Sequence, residues 1–144
     1  MPACATEPGL HIADLEAAIN HWRARMPADA SSGALAPPVR ALADLYGRMA
    51  LTGARYWRAH AIPPAAWQAW LAWYATLPDA PCIAVCSTSQ GDAVCKGCGR
   101  TDAEVALWPA MGPLQKRAVW RRITRQATAL RFLRQAAAKQ RQTG

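Results

Sequence analysis

The 144-residue sequence predicts an all-α protein, in which a small helical N-terminal domain precedes an irregular cysteine-rich metal-binding loop and a long basic C-terminal helix. Three observations lead to this class. Apolar residues recur at helical spacing over most of the chain, no stretch alternates convincingly as a strand would, and four cysteines lie close together. The pattern divides the chain into a disordered start (1–10), a helical domain (11–77), a cysteine knuckle with a short capped helix (78–112), and a basic amphipathic helix with its tail (113–144).

The N-terminal domain is predicted to begin with two amphipathic helices. The first starts at about His11 and stops at Pro27, because proline cannot continue a helix. The second starts at Pro37 and ends near Gly53, since proline favours the first turn and glycine the end. Its predicted apolar face consists of Val39, Leu42, Leu45, Tyr46 and Met49.

The third helix of this domain, over residues 64–77, is rich in aromatic residues. Its apolar stripe is predicted to consist of Trp67, Trp70, Leu71, Tyr74 and Leu77. A stripe at this spacing is typical of a face that packs into the core. Trp73 lies off the stripe, and we expect it to face the cysteine loop or a partner.

Two more helices are predicted after the cysteines. Thr101 and Glu104 form a capping-box pattern, which indicates a short helix that ends at about Trp108. The longest helix begins at Pro113 and extends to about Gln140. Its predicted apolar face consists of Val119, Trp120, Ile123, Ala127 and Leu130.

The cysteine spacing C-x3-C-x8-C-x2-C predicts one metal centre with four thiolate ligands, Cys82, Cys86, Cys95 and Cys98. A tetrahedral ion needs two ligand pairs, each close in sequence so that both sulfurs face inward. Glycines on both sides of Cys98 allow backbone N–H groups to turn toward the thiolates. The spacing slightly favours zinc, although iron–sulfur clusters also use four thiolates.

Three other interpretations of these cysteines stay open. The cysteines could form two disulfides, Cys95 and Cys98 could form a thioredoxin-like C-x-x-C pair, or all four could be structural cysteines that share no metal. Disulfides are disfavoured by the lack of a secretory leader pattern, and the thioredoxin-like motif requires a βαβ context. The fifth cysteine, Cys4, stands apart.

The net charge of +8 is concentrated near the C-terminus. Residues 105–144 contain nine basic residues and no acidic one, whereas residues 1–104 contain eight basic and nine acidic residues. The predicted anion contacts are Lys116, Arg117, Arg121, Arg122 and Arg125. Nucleic acid or an acidic protein is the expected partner, and a merely solvated helix face is the alternative.

Several classes of function lack their signatures. The motifs of metalloproteases, serine hydrolases and phosphate-binding loops are absent, and the three histidines are dispersed, so we expect no enzyme and identify no small-molecule substrate. No apolar run is long enough to cross a bilayer. We therefore expect a cytoplasmic protein that does not bind membranes.

Two segments carry motifs of known families. A P-C-I-x-x-C opening at 81–86, a G-C-G-R-T knuckle at 97–101, a Trp at 108 and a basic stretch at 116–122 occur together. Through them, residues 81–123 closely resemble a family of short bacterial proteins of unknown function, labelled "predicted iron–sulfur protein". Through L-E-A-A-I-N-H-W-R at 15–23 and A-L-A-D-L-Y at 41–46, residues 12–77 resemble a second uncharacterised helical family of beta-proteobacterial type.

The sequence therefore favours a non-catalytic metal-binding protein, in which the metal is structural and the basic C-terminal helix binds an anionic partner. The alternative, which the label of the resembled family implies, is an iron–sulfur protein for electron transfer or redox sensing.

Overall fold

The computed structural model describes residues 8–82 and 86–142, apart from the side chains of residues 128–140 and 142. The chain forms two compact units, Met1–Pro78 and Asp79–Gly144. The described residues are mostly helical, with one two-stranded antiparallel sheet, so the predicted mostly helical class is confirmed.

The described part of the first unit contains three α-helices, the small sheet and one turn of 3₁₀ helix (Ala59–Ala61). Its elements in chain order are β1 (Gly9–His11), α1 (Ile12–Arg25), α2 (Pro37–Thr52), β2 (Tyr56–Arg58) and α3 (Pro64–Tyr74). The three helices pack against one another, and α2 ends at Gly53, whose φ of 66° lies in the left-handed region that glycine tolerates. The prediction for the bounds of α2 is confirmed.

The sheet differs from the expectation of a disordered start and no strands. Gly9 and Leu10 lie in β1, and Leu10, opposite Trp57, is fully buried. A Cβ atom at Gly9 would lie 3.2 Å from the Trp57 carbonyl oxygen, so the missing side chain allows close pairing. Strands of three residues are too short to show alternation, and these two lie far apart in sequence. Residues 1–7 lie outside the described part of the chain.

The core of the first unit includes the predicted face of α2. Its buried residues are Val39, Leu42, Leu45 and Met49. The fifth predicted residue, Tyr46, is half-buried, and its hydroxyl donates a hydrogen bond of 3.1 Å to Glu16 Oε1 on α1.

The buried face of α3 differs from the predicted aromatic stripe. The buried residues are Ala66, Ala69, Trp70 and Trp73, whereas Trp67, Leu71, Tyr74 and Leu77 are half-buried. Almost every position of α3 is apolar, so periodicity alone does not identify the buried face. The small Ala69 accepts a hydrogen bond of 2.9 Å from Trp22 Nε1 of α1. Trp73, predicted off the buried stripe, is therefore part of the buried face of α3.

The second unit contains a short helix and a long one. They are α4 (Asp102–Leu107) and α5 (Pro113–Gln142). The predicted capping box is confirmed, because Glu104 N–H donates to Thr101 Oγ1 and Thr101 N–H donates to the Glu104 carboxylate. Trp108, Leu114 and Val119 are buried. Val119 belongs to the apolar face predicted for α5. Of the other residues predicted on that face, Trp120 and Ile123 are half-buried, Ala127 is exposed, and the Leu130 side chain lies outside the described residues.

No helix in the described ranges combines the length and the apolar character needed to cross a lipid bilayer.

Candidate metal centre and basic helix

The second cysteine pair lies on a tight turn that backbone hydrogen bonds close. Val94 and Thr101 form an isolated antiparallel bridge at its base. Within it, Cys95 N–H donates to the Arg100 carbonyl and Gly99 N–H donates to the Cys95 carbonyl, both at 2.8 Å. Gly99 has a φ of 83°, in the left-handed region that glycine adopts without strain. The chain therefore reverses between Cys95 and Arg100.

Three backbone N–H groups converge on the sulfur of Cys95. Those of Cys98, Ser87 and Gly97 lower the pKa of this thiol from its ordinary value of 9.0 to about 6, although burial acts in the opposite direction. The Cys98 thiol also hydrogen-bonds to Cys95, and both side chains are buried. Such an environment stabilises the thiolate, which is the form of cysteine that binds metals. Cys95 therefore has the thiolate character that the predicted site requires.

The first cysteine pair does not complete the site. Cys82 is exposed, and the half-buried Cys86 has its Sγ 3.0 Å from Thr88 Oγ1. The structure thus brings Cys95 and Cys98 together. Among the described residues, no three or more His, Cys, Asp or Glu side chains are arranged to hold a metal ion.

The turn that follows Cys86 nevertheless lies beside Cys95. Ser87 N–H donates to the Cys95 sulfur, and Ser87 Oγ accepts a hydrogen bond of 2.9 Å from Lys96 N–H. No disulfide joins Cys82, Cys86, Cys95 or Cys98, so the structure does not contain the two disulfides of the alternative interpretation.

A buried guanidinium lies next to the cysteine pair. Arg100 is only 5% exposed, and its Nε donates to Cys98 Sγ at 3.4 Å. Its guanidinium carbon lies 4.7 Å from the ring centroid of Trp108, a cation–π distance. A buried cation needs an anionic or aromatic partner, and Arg100 has a sulfur and a ring. The sequence did not predict a role for Arg100. Its position two residues after Cys98 was the one sign that it would lie near the thiols.

Lys116, a predicted anion contact, is engaged within the second unit. Its Nζ donates to Asp79 Oδ1 at 2.7 Å and lies 5.4 Å from the ring centroid of Trp108. Trp108 Nε1 donates to the other carboxylate oxygen of Asp79 at 3.2 Å. The hydrogen bond from Lys116 is the main cause of a lowered pKa at Asp79.

Arg122, a second predicted anion contact, is also engaged internally. Both of its terminal nitrogens donate to the Glu104 carboxylate, and Nη2 also donates to the Gly99 carbonyl at 3.0 Å. The hydrogen bond from Arg122 lowers the pKa of Glu104, and the same bond raises the pKa of Arg122. Of the other predicted contacts, Arg117 and Arg121 are half-buried and Arg125 is exposed.

Two family models match separate parts of the chain. Residues 8–75 match a family described as a protein of unknown function (DUF3717), and residues 80–127 match another with the same description (DUF1289). No curated protein and no solved structure matches the chain. These matches fit the expectation of two uncharacterised families in one chain. Neither description names a metal, a partner or an activity, so the label "predicted iron–sulfur protein" is not confirmed.

Proposed function

We propose a non-catalytic metal-binding protein, in which the thiols of Cys82, Cys86, Cys95 and Cys98 hold one structural metal ion and α5 binds an anionic partner. The observation that supports metal binding best is the convergence of three backbone N–H groups on the Cys95 sulfur, beside the Cys98 thiol. Backbone donors aimed at a sulfur offset the negative charge that thiolate ligands bring to a metal.

The two cysteine pairs of the proposed site differ in how far they must move to bind a metal. Cys95 and Cys98 are adjacent and buried, so they need little rearrangement. Cys82 and Cys86 must join them, and the Thr88 hydroxyl, 3.0 Å from Cys86 Sγ, could donate a hydrogen bond to that sulfur as a thiolate. A structural ion contributes its binding free energy to the folding of the loop, which offsets the cost of that rearrangement.

Zinc is the proposed ion because two short cysteine pairs suit one tetrahedral centre. Four thiolates close its coordination sphere, whereas a catalytic zinc keeps one position open for water. This chemistry supports a structural role over a hydrolytic one.

The proposed anionic partner is nucleic acid, with α5 as the contact. The helix carries nine basic residues and no acidic residue. The candidate contacts on α5 are Arg117, Arg121 and Arg125, which recur every four residues and share one helix face. They span about 12 Å along the axis, a row of charge suited to a phosphate backbone.

Elemental analysis of anaerobically purified protein tests the metal proposal. We expect one zinc per chain and no acid-labile sulfide. Cys95→Ser and Cys98→Ser should each lose the metal and lower the melting temperature, because the binding free energy of a structural site is largely folding free energy. Cys82→Ser and Cys86→Ser should weaken binding strongly.

Cys4→Ser is the matched control, since it removes a thiol outside the four and should retain full stoichiometry. Full metal content in Cys95→Ser or Cys98→Ser would refute the ligand assignment. Iron together with acid-labile sulfide would refute the structural zinc ion and support the iron–sulfur alternative.

A further inference from the structure

A groove lies in the first unit between α2 and the N-terminal end of α3. Its volume is about 410 Å³, and its apolar wall includes Leu35, Pro37, Ala41, Pro63 and Ala65. Leu35 is a large apolar side chain that remains 41% exposed at this groove. The groove therefore offers apolar surface for another molecule to cover.

Charged side chains of α2 line the same groove. Arg40, Asp44 and Arg48 follow one another at intervals of four residues, so they lie along one face of the helix, and all three are exposed. None of their side chains forms a hydrogen bond or an ion pair with any residue that the structure describes, although Asp44 is one turn from each arginine. Two guanidiniums without a direct ion pair and one carboxylate between them therefore give this face of the groove a net positive charge.

We propose that this groove binds an acidic amphipathic helix of a partner protein. Arg40 and Arg48 are eight residues apart, which corresponds to about 12 Å along the helix axis. Two carboxylates about seven or eight positions apart on a parallel helix match this separation, and the apolar residues between them fill the groove. Asp44 repels a third carboxylate at the centre, so a neutral or basic residue is favoured there.

Other occupants fit these charges less well. A nucleic-acid backbone carries continuous negative charge, which conflicts with Asp44 and gains nothing from the apolar wall. A second copy of the chain, whose net charge is +8, offers no acidic excess. A single small ligand would have to carry two anionic groups about 12 Å apart.

A peptide-display selection on the immobilised full-length protein tests the proposal. The library consists of short helical peptides, and the counter-selection uses the variant Arg40→Glu/Arg48→Glu. We expect enriched peptides with paired acidic residues about seven or eight positions apart and apolar residues between them. The double reversal should weaken their binding about tenfold or more, because two attractive pairs become repulsive. Asp44→Asn should tighten binding.

Matched charge changes elsewhere complete the experiment. Arg23→Glu/Arg58→Glu changes the net charge of the first unit equally, at exposed positions outside this groove, and should leave binding unchanged. If Arg40→Glu/Arg48→Glu misfolds by circular dichroism, Arg40→Gln/Arg48→Gln removes the same attraction without the repulsion.

Any one of the following results of the selection would overturn the proposal: no selected peptide that distinguishes the wild type from the double variant, equal weakening by the control pair, or weaker binding in Asp44→Asn. A single-stranded oligonucleotide whose binding depends on Arg40 and Arg48 would also overturn it, in favour of a nucleic-acid partner.

Discussion

The guanidinium of Arg122 connects three parts of the second unit. It starts from α5, pairs with the carboxylate of Glu104 in the capping box, and donates to the Gly99 carbonyl in the cysteine turn. Hydrogen bonds to charged groups contribute roughly 1.5–3 kcal/mol each when they are shielded from water, and less at the partial exposure of this pair. This one side chain therefore links the geometry of the proposed metal site to the long helix.

The first prediction concerns the pKa of Glu104. In the wild type it lies below the ordinary value of 4.5, chiefly through the hydrogen bond from Arg122. Arg122→Gln should raise it toward 4.5, as measured by NMR titration of the carboxyl carbon. Arg125→Gln, an exposed change on the same helix, should leave it unchanged. An unaltered Glu104 pKa in Arg122→Gln would contradict the assigned pair.

The same pair predicts how stability depends on pH. Because the folded-state pKa of Glu104 is depressed, its contribution is present above the unfolded-state pKa of about 4.5 and is lost as the pH falls through the folded-state pKa. The wild type and Arg122→Gln should therefore differ in free energy of unfolding by a constant amount near neutral pH. This difference should become smaller as the pH falls below about 4.5, as measured by denaturant unfolding at each pH.

At the scale of elements, local signals explain which helices the sequence predicts. Prolines at the starts of α2 and α5, Gly53 after α2, and the pairing of Thr101 with Glu104 are readable because each acts within one turn. The pairing of β1 with β2 and the buried face of α3 depend on contacts between distant residues. Periodicity carries no information about such contacts when strands are short or when a helix is apolar on all sides.

The candidate site divides in the same way. Sequence spacing identifies the four cysteines, and the structure brings Cys95 and Cys98 together. The roles of Ser87, Arg100 and Asp79 follow from the path of the chain around that pair, which spacing does not encode. Lys116 and Arg122 show the limit of reading charge from sequence, since a basic residue on a helix can have an internal acidic partner.

The basic face of α5 leads to a prediction for this element. Arg121→Glu/Arg125→Glu should weaken binding of the protein to a single-stranded polynucleotide. It should also reduce the magnitude of the slope of log affinity against log salt concentration by about 1 to 2. The variant loses two phosphate contacts, so its binding releases fewer counterions. The control Arg23→Glu/Arg58→Glu makes the same change in net charge on the first unit. Equal affinity and slope in the α5 variant and the wild type would exclude this helix as the contact.

At the scale of the whole molecule, the two units differ in charge as well as in fold. Residues 1–78 contain six basic and five acidic residues, a net charge of +1, whereas residues 79–144 contain eleven basic and four acidic residues, a net charge of +7. The proposed groove for an acidic helix lies in the first unit, and the proposed metal site and basic helix lie in the second. Two such binding activities in one chain would allow it to connect a protein that carries an acidic helix with a nucleic acid.

The last prediction is that each unit responds separately to damage in its core. Trp70 is fully buried in the first unit, stacked between Trp67 and Tyr74 with ring centroids 5.2 and 5.5 Å away. Trp70→Ala should destabilise this unit by about 3–5 kcal/mol, because it removes a large buried side chain and leaves a cavity. Amide hydrogen exchange of the full-length protein should then accelerate across α1, α2 and α3.

Exchange in residues 86–127 and the metal content should stay unchanged in that variant, because each unit has buried apolar residues of its own. Leu51→Ala is the control, since Leu51 is 91% exposed and its truncation should alter neither unit. Faster exchange in both units of Trp70→Ala would mean that they unfold as one cooperative body. The metal would then stabilise the first unit as well, and its removal should loosen the groove along α2.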